Sequence, residues 1–219
     1  MKKIRIGVLV SGRGSNLQAI IDNIGKGTLS AEIAVVISDQ ENAYSLERAR
    51  KHGIPAVHLS AAAYRRTRDA YDALLAQELQ KHGVELVCLA GFMRIITPVL
   101  LKTFPNRILN IHPSLLPAFP GLHVQKAALE HGVKFSGCTV HFVDEGMDTG
   151  PIIVQAVVPI LDRDTEDSLS ERILKQEHRI YSRAIQLFAD EKLKIDGRRV
   201  VALDGKTETN DFLENPQII

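Results

Sequence analysis

The chain has 219 residues, 45% hydrophobic and 24% charged, and 27 Lys+Arg against 26 Asp+Glu leave a net charge of +1. That balance excludes a disordered chain and gives no strongly basic face for nucleic acid, so the expected partners are small molecules. A chain of this length forms one large domain whose core needs no disulfide or metal staple. No run of about 18 uncharged apolar residues occurs, and the start MKKIRIGVLVSGRGSN lacks the apolar length of a signal peptide, so no membrane segment is expected. Cys88 and Cys138 stand singly inside apolar runs, outside any paired ligand spacing. Free core thiols in a reducing cytosol, and so a cytoplasmic location, are the expectation.

Seven apolar, β-branched runs follow one another: IRIGVLV, AEIAVVIS, IPAVHL, VELVCLAG, RILNIH, CTVHFV and IIVQAVVPI. Helical periodicity lies between most of them, around Leu17–Ile24, Leu46–Arg50, Tyr71–Leu79, Val99–Phe104 and Val124–Leu129. The alternation predicts an α/β fold, a mostly parallel twisted sheet with helices on both faces. Only Asp144–Gly150 separates the last two runs, too little for a crossover helix, so these strands are expected to be antiparallel and to close the sheet. Thr165 to about Ala189 reads as one long amphipathic helix, with Leu169, Ile173, Leu174, Ile180, Ile185 and Leu187 on its apolar positions. A short hairpin about Asp196-Gly197 and a frayed tail complete the chain.

The pairs His52-Gly53, His82-Gly83 and His131-Gly132 each end a predicted helix, as a cation in the last turn before a C′ glycine commonly does. His58, His112, His123, His141 and His178 remain. His141 alternates with apolar neighbours and reads as a satisfied core residue.

Three segments carry possible chemistry. In VLVSGRGSNLQAI a strand runs through Ser11-Gly12-Arg13-Gly14-Ser15-Asn16 into a helix, where turned N–H groups and the helix dipole suit a phosphate. Leu17 stands where the dinucleotide fingerprint needs a third glycine, and no Gly-Lys-Ser/Thr follows, so a sugar monophosphate fits better than NAD or ATP. The alternative is a tight βα turn with Ser15 or Asn16 as N-cap. In the second segment, NIHPSLLPAFPG, Asn110 and His112 are two residues apart on a strand and so project from one face. Pro113, Pro117 and Pro120 stiffen the exit loop, at the strand end where open α/β sheets bind ligands. In the third, HFVDEGMDTGP, Asp148 lies between Gly146 and Gly150 on a turn that could approach His112, where a carboxylate would favour and orient the imidazolium. An Asx turn is the plainer reading of Asp148. No His-x-x-x-His or carboxylate cluster suggests a metal, and neither Ser15 nor Ser114 sits in a nucleophile elbow.

SGRGSNLQAI, LAGFMRI, NIHPSLLPAFPG, the HFV…D…GP stretch and QEHRIY together resemble the phosphoribosylglycinamide formyltransferase family over nearly the whole chain. The resemblance implies a Rossmann-like formyltransferase fold and transfer of a formyl group from 10-formyltetrahydrofolate to the glycine amine of glycinamide ribonucleotide, without a metal. It places the family's catalytic set on Asn110, His112 and Asp148. It also implies phosphoribosylglycinamide binding by Gly14, Ser15, Asn16 and Glu177, and folate binding by Arg68, Met93, Arg94, Ile95, Ile96, Asn110 and Asp144. One domain, 1–219, would comprise a phosphate-binding half (1–105), a catalytic and folate-binding half (106–195) and a C-terminal hairpin and tail (196–219). Arg13 stands where related sequences often carry Asn, and the turn Asp144-Glu145-Gly146-Met147 departs from the family pattern. A monomer or weak homodimer is expected, with no nucleic-acid or membrane partner.

Rival readings are formyltetrahydrofolate deformylase and methionyl-tRNA formyltransferase, which share the Asn-His-Asp core but carry a further domain, and a non-catalytic binder of folate or a phosphometabolite. The length of the chain speaks against the first two, and a polarising His–Asp pair that a binder would not need speaks against the third.

Overall fold

The computed structural model describes residues 3–60 and 67–203. Its nine strands form one sheet in the order β3-β2-β1-β4-β5-β6-β7-β9-β8. β1 (Ile4–Val10), β2 (Ala31–Ser38), β3 (Ala56–His58), β4 (Leu86–Leu89) and β5 (Ile108–His112) pair in parallel. They correspond to the first five apolar runs. The two faces follow from the period of two along each strand. Ile6, Val8 and Val10 of β1, Leu86 and Cys88 of β4, and Leu109 and Ile111 of β5 face one core. Leu9, Val87, Leu89 and Ile108 face the other.

Helices cover both faces. α1 (Ser15–Gly25), α2 (Tyr44–Lys51), α5 (Val124–Glu130) and α6 (Glu166–Ala189) lie on the first, through Leu17, Ile20, Leu46, Leu129, Leu169, Ile173 and Ile180. α3 (Arg68–Lys81) and α4 (Pro98–Thr103) cover the second, with Tyr71, Leu75, Leu79 and Leu100. Fully buried side chains such as Leu17, Leu46 and Leu75 each contribute roughly 1.5–3 kcal/mol of burial. Local chemistry starts the helices: Thr67 and Thr97 accept from the first turns of α3 and α4, and Thr165 and Ser168 form a capping box on α6. His52, His82 and His131 all occupy C-cap positions, each before a glycine of positive φ. Tyr181 of α6 donates to the Leu89 and Leu109 carbonyls, 2.9 and 3.1 Å away, fastening the helix under the ends of β4 and β5.

The sheet reverses direction one strand earlier than the sequence suggests. β6 (Phe135–Phe142) is antiparallel to β5 as well as to β7 (Ile152–Pro159). The proline loop after β5 stays at that strand's carboxyl end, where Thr139 Oγ1 accepts the Leu116 N–H and donates to the Ser114 carbonyl. β7 does not close the sheet. The expected hairpin, β8 (Leu193–Asp196) and β9 (Arg199–Ala202), adds to its edge through Ile152 opposite Arg199. The frayed end expected after it falls on residues 204–219, outside the described residues.

Candidate active site

A cleft of about 540 Å³ opens at the carboxyl ends of β1, β4 and β5, beside the point between β1 and β4 where the order of connections switches. Asn16, Met93–Ile96, Asn110, His112, His141, Asp144, Asp148 and Glu177 all line it. These include most of the residues singled out above. Gly14 and Ser15 stand on the turn just before Asn16. Arg68 is different: it is exposed at the start of α3 and does not line the cleft.

The first wall is the β1–α1 turn. Its N-cap is Gly14, at φ 70° and ψ 39°, and no side chain caps the helix. Neither Ser15 nor Asn16 plays the capping role considered above, so no side chain caps the first-turn N–H groups, the arrangement an anion site requires. Glycine is required twice at this position, because a Cβ would sit in a left-handed backbone and 2.6 Å from Ser45 Cβ. Arg48 holds the turn by donating from Nε to the Arg13 carbonyl at 2.9 Å. Asn16 is buried and donates from Nδ2 to Glu177 Oε2 at 2.7 Å, while its Oδ1 is buried without a protein partner. Burial pushes the Glu177 carboxyl above its ordinary range, and the Asn16 hydrogen bond opposes the rise.

The floor is the end of β5. Asn110 and His112 both reach the cleft from one face of the strand. His112 Nε2 lies 2.9 Å from the Phe119 carbonyl, and Nδ1 lies 3.5 Å from Asp148 Oδ2. Both ring nitrogens face oxygen acceptors. Asp148 adopts φ 55°, a strained conformation that aspartate tolerates better than most residues. Its carboxylate is not spent on an Asx turn: Oδ2 accepts the Gly121 N–H at 2.9 Å, and Oδ1 lies 3.5 Å from Asn110 Nδ2. Phe119 and His123 of the proline loop also have positive φ, so three such residues gather at one site.

His141 is buried as expected, yet it also faces the cleft. Its Nδ1 donates to the Phe142 carbonyl at 2.8 Å, leaving Nε2 to accept from Asn110 Nδ2 at 3.2 Å. Burial holds this imidazole below its ordinary pKa, which keeps Nε2 an acceptor. Sequence reasoning missed that contact, and also the Phe119 carbonyl and the Gly121 N–H. The only available signal was the alternation of His141 with Thr139 on a strand facing Asn110.

The mouth is apolar. Met93, Ile95, Leu122 and Met147 are 67%, 49%, 72% and 55% exposed, a cluster that marks a ligand surface rather than scattered surface residues. Arg94 stacks its guanidinium over the Tyr71 ring, 4.5 Å from the centroid. Among the described residues no group of three His, Cys, Asp or Glu could hold a metal ion, and no helix is long and apolar enough to cross a membrane. Cys88 and Cys138 are free and buried, and burial raises both thiols to about 12.

The formyl transferase family model matches residues 4–185. The chain belongs to the formyl transferase family. Among relatives of this formyl transferase, phosphoribosylglycinamide formyltransferase of Escherichia coli is 45% identical over 90% of this chain and 96% of the relative. The trifunctional purine biosynthetic protein adenosine-3 of Drosophila melanogaster is 50% identical over 86% of this chain, which spans only 14% of that protein's length. Glycinamide ribonucleotide transformylase 1 from Symbiobacterium toebii has a solved structure that superposes with a TM-score of 0.91 at 60% identity, covering 93% of this chain and 95% of that one. A formyltetrahydrofolate deformylase from Pseudomonas syringae shares the fold at a TM-score of 0.86 but only 27% identity, with 92% of this formyl transferase and 66% of the deformylase covered.

Proposed function

We propose that this formyl transferase moves the formyl group of 10-formyltetrahydrofolate to the glycine amine of 5′-phosphoribosylglycinamide, giving formylglycinamide ribonucleotide and tetrahydrofolate in purine biosynthesis. The observation that carries the reading is the meeting, in one cleft, of an uncapped helix start, an apolar mouth and the Asn110–His112–Asp148 cluster between them. Similarity to curated phosphoribosylglycinamide formyltransferases over nearly their full length supports the same substrates.

In this reading the turn at Gly14, Ser15 and Asn16 binds the ribonucleotide phosphate through backbone N–H groups. Glu177 receives the hydroxyl or amide donors of the same substrate, and the unpartnered Asn16 Oδ1 offers a second acceptor. The pterin of the folate lies against Met93, Arg94, Ile95 and Ile96 and the turn from Asp144, whose apolar exposure suits a flat heterocycle. Arg68, exposed at the start of α3 and outside the cleft lining, meets the folate's glutamate tail where it leaves the cleft.

His112, its Nδ1 facing Asp148, exchanges the Phe119 carbonyl for the formyl oxygen at Nε2, and the second N–H of Asn110, which makes only the 3.5 Å contact to Asp148, donates to the same oxygen as negative charge develops there. Asp148 takes part in moving the amine proton to the departing folate nitrogen. Neither group forms a covalent bond to the formyl carbon, and no metal ion takes part. Two buried free thiols suit a reducing compartment and support a cytoplasmic reaction.

The test follows tetrahydrofolate release from 10-formyltetrahydrofolate spectroscopically, with and without the ribonucleotide. Release that requires the ribonucleotide is expected. Release without any acceptor would instead identify a deformylase, and folate binding with no release would identify a binding module.

A further inference from the structure

The turn between β6 and β7 carries Asp148, yet almost nothing in the catalytic cluster holds the turn itself. The first tie is local. Asp144 Oδ1 accepts from the Thr149 hydroxyl at 2.6 Å and from the Gly146 N–H at 3.0 Å. One carboxylate oxygen thus ties the start of the turn to the residue after Asp148. Gly146 is part of the same device, because a Cβ there would overlap Thr149 Oγ1. A second tie comes from the C-terminal hairpin: Arg198 Nη2 donates to the Thr149 carbonyl at 3.2 Å, across 49 residues.

Thr149 is exposed and does not itself line the cleft, and its partner Asp144 lines the cleft outside the His112–Asp148 contact, so the Thr149 contacts are explained neither by core packing nor by the reacting groups. The residue it follows is the one at φ 55°, whose carboxylate meets His112 Nδ1 and the Gly121 N–H. A residue in the left-handed region persists only where its surroundings over-determine it. The hydrogen bonds given above for Asp148 run through its carboxylate, and the clasp closes the chain on either side of it, inside the backbone bond from the Phe142 N–H to the Pro151 carbonyl.

We propose that the Asp144–Thr149 clasp, seconded by Arg198, sets the backbone of Asp148 and thereby the placement of its carboxylate on His112, which makes Thr149 a positioning residue for the formyl transfer. This rests on the function proposed above, so its test has one readout that depends on turnover and one that does not. The second is the Gly121 N–H, whose protection from hydrogen exchange reports the Asp148 carboxylate directly.

The variants are Thr149→Val, which keeps shape and removes the hydroxyl, and Thr149→Ser, which restores it. Loss of one hydrogen bond of this kind predicts that Thr149→Val lowers kcat about tenfold with KM for the ribonucleotide unchanged, and speeds Gly121 exchange about tenfold. Thr149→Ser is expected to return both to within about twofold of the parent. Unchanged Gly121 exchange in Thr149→Val would overturn the proposal, and so would faster exchange with unchanged kcat. Equal loss in Val and Ser variants would also overturn it, because the hydroxyl would then not be the cause. Should the parent fail to transfer formyl at all, the functional reading falls, while Gly121 exchange still judges the clasp. If Thr149→Val does not fold, Gly146→Ala displaces the same hydroxyl and is held to the same outcomes.

Discussion

Asn16, in the first turn of α1, donates its amide to Glu177 on α6 at 2.7 Å, joining residues 161 positions apart into one wall of the cleft. The pair is buried, and it joins the β1–α1 turn to the long C-terminal helix on one side of the cleft. Its pH behaviour follows from the Glu177 carboxyl, which burial raises from an ordinary value of 4.5. Between the ordinary value and the folded one, the native state holds a proton that the unfolded chain has lost. The contribution to stability is therefore complete below the ordinary value and disappears as pH rises through the folded one. Glu177→Gln should remove that slope, so its melting temperature should gain on the parent's as pH is raised from about 4 to about 8. Thermal unfolding across that range checks it, and parallel curves would refute the assignment.

His112→Ala should lower kcat by about 10²–10⁴, since it removes the group that Asp148 faces in the cleft and that the proposed transfer uses as a donor. Asp148→Asn should act in the same direction while keeping an acceptor for the Gly121 N–H. Steady-state kinetics together with a melting curve separate the catalytic loss from unfolding. Retention of near-parent kcat in both variants would remove these residues from the mechanism.

Gly14→Ala should destabilise the chain by roughly 1–3 kcal/mol, because the new Cβ meets both a left-handed backbone and Ser45. It should also raise KM for the ribonucleotide more than KM for the folate, as the N–H groups of the turn move. Denaturant unfolding and paired KM measurements decide this.

At the mouth, Leu122→Ser or Met147→Ser should weaken folate binding about tenfold by removing apolar contact, with the ribonucleotide KM unchanged. Fluorescence titration with a folate analogue gives the number. An equal loss for both substrates would mean that the mouth serves general access rather than the pterin.

Much of this was legible before any coordinates. β1, β2 and β5 could be read because β-branched runs bounded by turn residues have few other uses, and the His-Gly helix stops were local signals of the same kind. The pairing of Asn110 with His112 on one face is a consequence of strand geometry alone. Less legible were residues whose meaning depends on what lies opposite. His141 reads as a core histidine, and it is one, but its Nε2 also meets Asn110. Asp148 reads as an Asx-turn residue, whereas Asp144 takes that role and leaves the Asp148 carboxylate free for His112 and Gly121. Arg68 carries no signal of its own, and its position on α3 leaves it outside the cleft lining.

From sequence alone came the α/β alternation, the glycine turn after β1, the long amphipathic helix and the shared face of Asn110 and His112, because period, turn chemistry and strand spacing are covalent, short-range properties, while Asp148 joined them only through the family resemblance. Tertiary structure decided the rest: the early reversal of the sheet at β6, the Gly14 cap, the Phe119 carbonyl on His112, the Gly121 N–H on Asp148 and the Asn16–Glu177 wall. Each of these is a contact between segments far apart along the chain, set by how loops converge at the carboxyl ends of the strands, and no local pattern of residue types encodes that convergence.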